Sequence, residues 1–246
     1  MDHQAVAAIS LAGIILDVVG GLYLAYDLLG GQHGPLRLLT RMVTYSVVFG
    51  IGYGLGLGVF FGIAAGLSVG ITISLELQRV SRGGRYSYAW ELVFSAIRAV
   101  GFSAGLYRML GLPFAATFAA LNTAGQAVAY RRGVRPGLDY QAARHSRLTR
   151  RQLVATVLRT IGYLATAMIC SMLVHQVAHA WLFALRVGLT VGLVTGFGTM
   201  VNPIIEYYAD NLPARRLGAF GIWLVLCGFF FQSFQYWLVV FDIPVT

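Results

Sequence analysis

Between Gly50 and Gly70 glycine recurs at every fourth position (50, 54, 58, 62, 66 and 70), inside a stretch from Met42 to Leu75 that carries no charged residue. Residues four apart stack on one face of a helix, so these glycines would form a smooth stripe along which a second helix can approach almost backbone to backbone. In water such a helix would be poor, since each glycine costs about 1 kcal/mol relative to alanine. In hydrocarbon the backbone has no solvent to bond instead, and small residues are what membrane helices use to associate. The stripe therefore predicts packing inside a bilayer. It does not predict a phosphate loop, because no Gly-Lys-Ser/Thr follows the G-x-G spacings of 52–58.

The composition agrees. The chain is 58% hydrophobic and 11% charged, with a mean hydropathy of +0.72, which belongs to the membrane class. All 18 basic residues are arginine, and the net charge is +9. Most of the arginines lie in short segments between apolar runs, the pattern that the positive-inside rule produces, so topology accounts for the charge and a nucleic-acid partner is not expected. Cys170 and Cys227 both fall within apolar runs, which speaks against a structural disulfide. The first four residues carry no basic n-region, so the first apolar run reads as a transmembrane helix and not as a removed signal peptide.

Ala5 to Leu28 is long enough to cross about 30 Å of hydrocarbon, and Gly30, Gly31, Gly34 and Pro35 end it. Met42 to Leu75 would be about 51 Å as one helix, too long for one ordinary span. A turn near Leu55 to Leu57 makes two, and puts Arg37 and Arg41 on the same side as Arg79, Arg82 and Arg85. Tyr86 to Tyr107, which holds Glu91 and Arg98, reads as a fourth span or an interfacial helix. Leu110 to Tyr130, Leu153 to Val174, Trp181 to Ile205 and Leu217 to Val240 follow. The loop 131–151, with seven arginines against Asp139, is the strongest cytoplasmic marker. The expected fold is an all-α polytopic membrane bundle of eight spans in a plasma or inner membrane, both termini outside, with Trp181 and 229–237 as outer aromatic belts.

The chain also resembles itself. Arg41 and Ile51-Gly52-Tyr53 match Arg151 and Ile161-Gly162-Tyr163, and Gly58, Gly62, Gly66 and Glu76 fall on Gly188, Gly192, Gly196 and Glu206 at one offset. Leu24-Ala-Tyr-Asp27 resembles Val128-Ala-Tyr-Arg131. These matches predict tandem halves, 1–109 and 110–246. Four spans per copy is an even number, so both copies point the same way, a symmetry found in some transporters.

Charge inside an apolar span marks candidate chemistry. Asp17, near the middle of the first span, and Arg98, near the middle of the fourth, are expected to pair, as a wet substrate or proton site or as a buried tie. Glu76 and Glu206 sit at cytoplasmic helix ends, where the dipole disfavours an anion, and read as interfacial salt bridges or as paired entry carboxylates. Asn202-Pro203 adds to the second view, since Pro203 frees the carbonyl of Thr199. His175 and His179 share a helix face at metal-ligand spacing, but without the H-E-x-x-H pattern they form at most a weak metal candidate with His3, Asp2 and Asp242. Gln232, Ser233 and Gln235 are expected to bond across helices.

No catalytic pattern is present, so an enzyme is the least favoured class, and no cofactor is expected. The leading expectation is a small secondary transporter or channel for a small solute or ion. The alternative is a non-transporting module that packs on itself or on a membrane-protein partner through the glycine stripe. Either way the surroundings are a lipid bilayer.

Overall fold

In the computed structural model the described residues are 3–28, 36–81, 87–131, 150–174, 180–211 and 214–241. Among them the chain forms seven helices and no strand: α1 (His3–Leu28), α2 (Leu36–Leu57), α3 (Val59–Ser81), α4 (Tyr88–Arg131), α5 (Arg150–Val174), α6 (Ala180–Asn211) and α7 (Ala214–Val240). Six are long and apolar enough to cross a bilayer, and α5 adds a shorter apolar stretch, Thr160–Val174. The chain is thus an all-helical, multi-pass membrane protein. It divides into two compact units, Met1–Thr40 with Ala209–Thr246, and Arg41–Tyr208.

The first unit is built on α1 and α7. A Cβ added at Gly13 would lie 2.6 Å from the carbonyl oxygen of Gly228, and one at Gly20 2.7 Å from that of Gly221. Positions rise along α1 as they fall along α7, so the helices are antiparallel, and glycine is what lets their backbones touch. Tyr23 packs edge-on to Phe220 at 5.8 Å, while Leu11, Ile14 and Val18 on α1 and Phe229 and Phe230 on α7 stay exposed, as lipid-facing side chains do.

In the second unit the uncharged stretch folds as a hairpin. The turn is at Gly58, one residue beyond the expected position, with φ at +95°, a conformation glycine adopts without steric cost. Gly58 bonds back to the Gly54 carbonyl at 2.8 Å, and its own carbonyl accepts from Gly62 at 3.0 Å. The stripe then closes on itself. A Cβ at Gly62 would lie 2.5 Å from the Gly50 carbonyl, one at Gly66 2.5 Å from the Gly50 Cα, and Gly70 lies against the Ser46 backbone. One position ahead of the glycines on each helix runs a second four-residue ladder, Tyr45, Phe49, Tyr53 and Leu57 on α2 and Phe61, Ala65, Val69, Ile73 and Leu77 on α3. All nine are buried in the core. Sequence thus assigns adjacent faces to adjacent tasks: glycines bring the two arms together, and the neighbouring ladder fills the interior.

The fourth helix is a hairpin as well. Gly111, at φ 78° and ψ 172°, interrupts it in a region that is essentially glycine-only, and Pro113 suits the first turn of the following arm. Ser103 donates to the Ala115 carbonyl at 3.2 Å, although twelve residues of straight helix would separate them by about 18 Å. At the far ends Tyr88 and Tyr130 lie 5.8 Å apart and Arg131 covers the Tyr88 ring at 4.9 Å. The arms, 88–110 and 112–131, therefore run antiparallel. The first arm packs on α3, where Gly101 meets Ser68 and Ala64 and Gly105 meets Phe61.

The helices α5 and α6 pair through Gly188 on Leu164 and Gly192 on Thr160, each with a Cβ-to-Cα distance of 2.6 Å. Antiparallel to α2, α6 presents Val194 to Gly52, Thr190 to Gly56 and Gly198 to Phe49.

Candidate functional site

Arg98 lies two turns beyond Glu91 on the first arm of α4, with Ser95 between, so the three share a face. Its guanidinium reaches Glu91 Oε1 at 3.3 Å and, on α3, Glu76 Oε2 at 3.7 Å. Ser95 Oγ donates to the same Glu91 oxygen at 3.1 Å and accepts from Arg98 at 3.3 Å. Glu91 is 0% and Glu76 3% exposed. The planar fork of arginine suits two carboxylate partners, and the cluster ties α3 to α4. Removing one partner of a buried pair costs about 3 to 5 kcal/mol, because the other charge is stranded. A second tie runs between the same helices, with Arg79 over the Trp90 ring at 4.4 Å.

Elsewhere in this unit hydroxyls and an amide are set among aromatic rings. The Tyr53 hydroxyl shares a hydrogen bond with Thr195 on α6 at 2.9 Å, and Gln126 donates to the Tyr163 hydroxyl at 3.5 Å. Phe102 stands edge-on to both tyrosines, at 5.7 and 6.5 Å. Near the Gly58 turn Arg186 of α6 donates from Nε to the Gly56 carbonyl at 2.8 Å, satisfying an end carbonyl of α2 with a cation, which the helix dipole favours.

Asp17 belongs to the first unit and Arg98 to the second, and each is engaged within its own unit. Asp17 Oδ2 accepts a hydrogen bond from Gln232 Nε2 on α7, and the carboxylates on Arg98 are Glu91 and Glu76. At Glu76, where a charged partner was expected, Arg98 is one. Gln232 bonds across helices as expected, whereas Ser233 bonds locally, donating to the Phe230 carbonyl at 2.9 Å.

The glycines Gly50, Gly62, Gly66 and Gly70 are covered by the opposing arm of their own hairpin, while Gly54 has only a 3.9 Å neighbour and Gly58 none within 4 Å. Gly188 and Gly192 pack on α5, and Gly196 lies on the same helix. Asn202, Pro203 and Glu206 lie within α6, with side chains outside the described residues, as are His175 and His179 altogether. Among the described residues no group of three or more His, Cys, Asp or Glu could hold a metal.

Glu91 and Ser95 were legible as partners of Arg98 from their spacings of seven and three. Gln232 lies 215 positions from Asp17, and no signal in one sequence joins them. No family model matches the chain, and neither the curated proteins nor the solved structures offer one similar to it.

Proposed function

We propose that this protein is a small secondary transporter or channel that moves a small solute or ion through a cell membrane. The observation that carries the reading is the buried Arg98 cluster: a guanidinium held by Glu91 and Glu76 between two apolar helices. A charge at the centre of a span costs at least about 2.5 to 3.5 kcal/mol on insertion scales, and apolar packing would join α3 to α4 without it. Charged groups kept at such a cost are characteristic of solute and ion pathways.

The architecture proposed is eight spans in two tandem halves, 1–109 and 110–246, with both termini outside. Counting the two arms of α4 separately and adding α5 supports eight. The halves gain support from packing: laying Ile161-Gly162-Tyr163 on Ile51-Gly52-Tyr53 equates Thr160 with Gly50, and Gly192 already corresponds to Gly62. The contacts Gly62 on Gly50 and Gly192 on Thr160 are then one contact made twice. The antiparallel α1 and α7 support termini on one side. The alternative, a module that meets partners through the stripe, draws little from a stripe whose Gly62, Gly66 and Gly70 are covered by α2.

The test is flux. Full-length protein in liposomes should raise permeability to at least one member of a panel of protons, K+, Na+, chloride and small neutral solutes, and Arg98→Gln should abolish that flux while the helical content is retained. Wild-type vesicles indistinguishable from empty ones across the panel would sink the reading.

A further inference from the structure

Asp17 occupies the middle of α1 (His3–Leu28), in the closest part of its contact with α7. Of its two carboxyl oxygens, Oδ2 accepts from Gln232 Nε2, whereas Oδ1 is buried and has no hydrogen-bond partner. The crowding there is severe. A Cβ added at Gly228 would collide with Asp17 Oδ1, and would lie 2.7 Å from the Gly13 carbonyl oxygen. Asp17 Oδ1 and the Gly13 carbonyl therefore rest against the same glycine of α7. Gly13 is also the residue four before Asp17, whose carbonyl a side-chain hydroxyl on a helix can reach.

The two helices offer no cation beside it, and Arg37, in the same unit, follows the end of α1 by nine residues. On α7 the ionisable side chains are Arg215, Arg216, Cys227 and Tyr236, and on α1 they are His3, Tyr23, Tyr26 and Asp27. The antiparallel register that puts Gly20 on Gly221 sets Arg216 about eight residues, or about 12 Å, along the axis from Asp17. Cys227, beside Gly228, has a thiol that cannot neutralise a carboxylate. A carboxylate held in this place by a single amide would keep one oxygen charged, dry and without a donor, an arrangement that buried groups avoid by pairing or by neutralisation.

We infer that Asp17 Oδ1 is a proton-binding site inside the membrane. Hydronium from solvent gives up the proton and becomes water, and one O–H bond forms on Oδ1. The C–Oδ2 bond becomes the carbonyl that accepts from Gln232, and the new O–H faces the Gly13 carbonyl. Both carboxyl oxygens then have a partner, and no charge remains between α1 and α7. Ser10 Oγ, two turns earlier on α1, is likewise buried without a hydrogen-bond partner and is the next polar atom toward the N-terminal end of the helix. The use of this proton as a coupling ion rests on the transport reading above; the site itself does not.

Infrared spectroscopy of the full-length protein in lipid tests the site without any flux. At neutral pH the spectrum should hold a protonated-carboxyl C=O band that moves down in D2O and is missing in Asp17→Asn. Gln232→Leu, which removes the donor to that carbonyl, should move the band to higher frequency without abolishing it. Should Asp17→Asn fail to fold, Asp17→Glu keeps the acid and must displace the band. A protonated-carboxyl region unchanged in Asp17→Asn, with a carboxylate stretch lost instead, overturns the inference, as does a band that ignores both Gln232→Leu and Asp17→Glu. Flux in the same vesicles reports on the transport reading alone: a band without flux keeps the proton site and removes the transporter, and flux without a band does the reverse.

Discussion

The helix pairs α2–α3 and α5–α6 solve one packing problem with different partners. In α2–α3 glycine meets glycine, Gly62 and Gly66 both lying on Gly50; in α5–α6 the glycines remain on one helix only, Gly188 on Leu164 and Gly192 on Thr160. The Ile-Gly-Tyr segments that align the pairs diverge in the same manner. Gly52 is pressed by Val194, 2.9 Å from where its Cβ would be, whereas Gly162 has nothing within 4 Å. Close approach needs a gap on one side only, so a glycine facing a glycine is more than contact demands. A shared sequence signal marks where helices meet and leaves open how each glycine is used.

Substitutions can break that comparison, beginning with the largest effect. Gly66→Leu should be the most damaging, because its side chain would enter the backbone of α2 at Gly50 and Ser46. Overpacking of this kind costs about 1 to 3 kcal/mol and at times more, so loss of folded protein in a detergent thermal scan is expected. Gly192→Ala meets the Thr160 Cα at 2.6 Å and should cost about 1 to 2 kcal/mol within the same range. Adding Thr160→Gly, which gives the second pair the composition of the first, should recover part of the loss. If the double variant is no better than the single one, the two contacts are not equivalent.

Smaller effects sharpen the contrast by changing sign. Gly162→Ala should raise the melting temperature, with a gain of up to about 1 kcal/mol from helix propensity, while Gly52→Ala should lower it by forcing Val194 aside. Equal signs would mean that Gly52 and Gly162 have the same role. Gly54→Ala, with its nearest atom at an ordinary 3.9 Å, should shift stability by only a few tenths of a kcal/mol, the balance of propensity and contact, even though it belongs to the stripe.

These contrasts mark what a single sequence can carry. The apolar runs between arginines expose the spans because hydrocarbon admits little else, and Gly58 was within one residue of being read as a turn. The Gly111 reversal was legible in outline from the apolar runs that flank Arg108. Glu91 and Arg98 form a local pair at helical spacing, so the core of the cluster is in plain view, although the same two charges fit both a fourth span and an interfacial helix. Arg186 carries no such signal, because its partner is a backbone carbonyl, which has no side-chain signature. Asp17 and Gln232 belong to helices at opposite ends of the chain, and neither hydropathy nor spacing says which distant helices become neighbours.

That last pairing sets an order of events in synthesis. The carboxyl of Asp17 is made 215 residues before the amide that bonds it, which at about 5 to 20 residues per second is about 10 to 40 s. For that time the Asp17 side chain exists without the α7 amide that bonds it. Truncation just before α7 would leave the Asp17 carboxyl without the Gln232 amide.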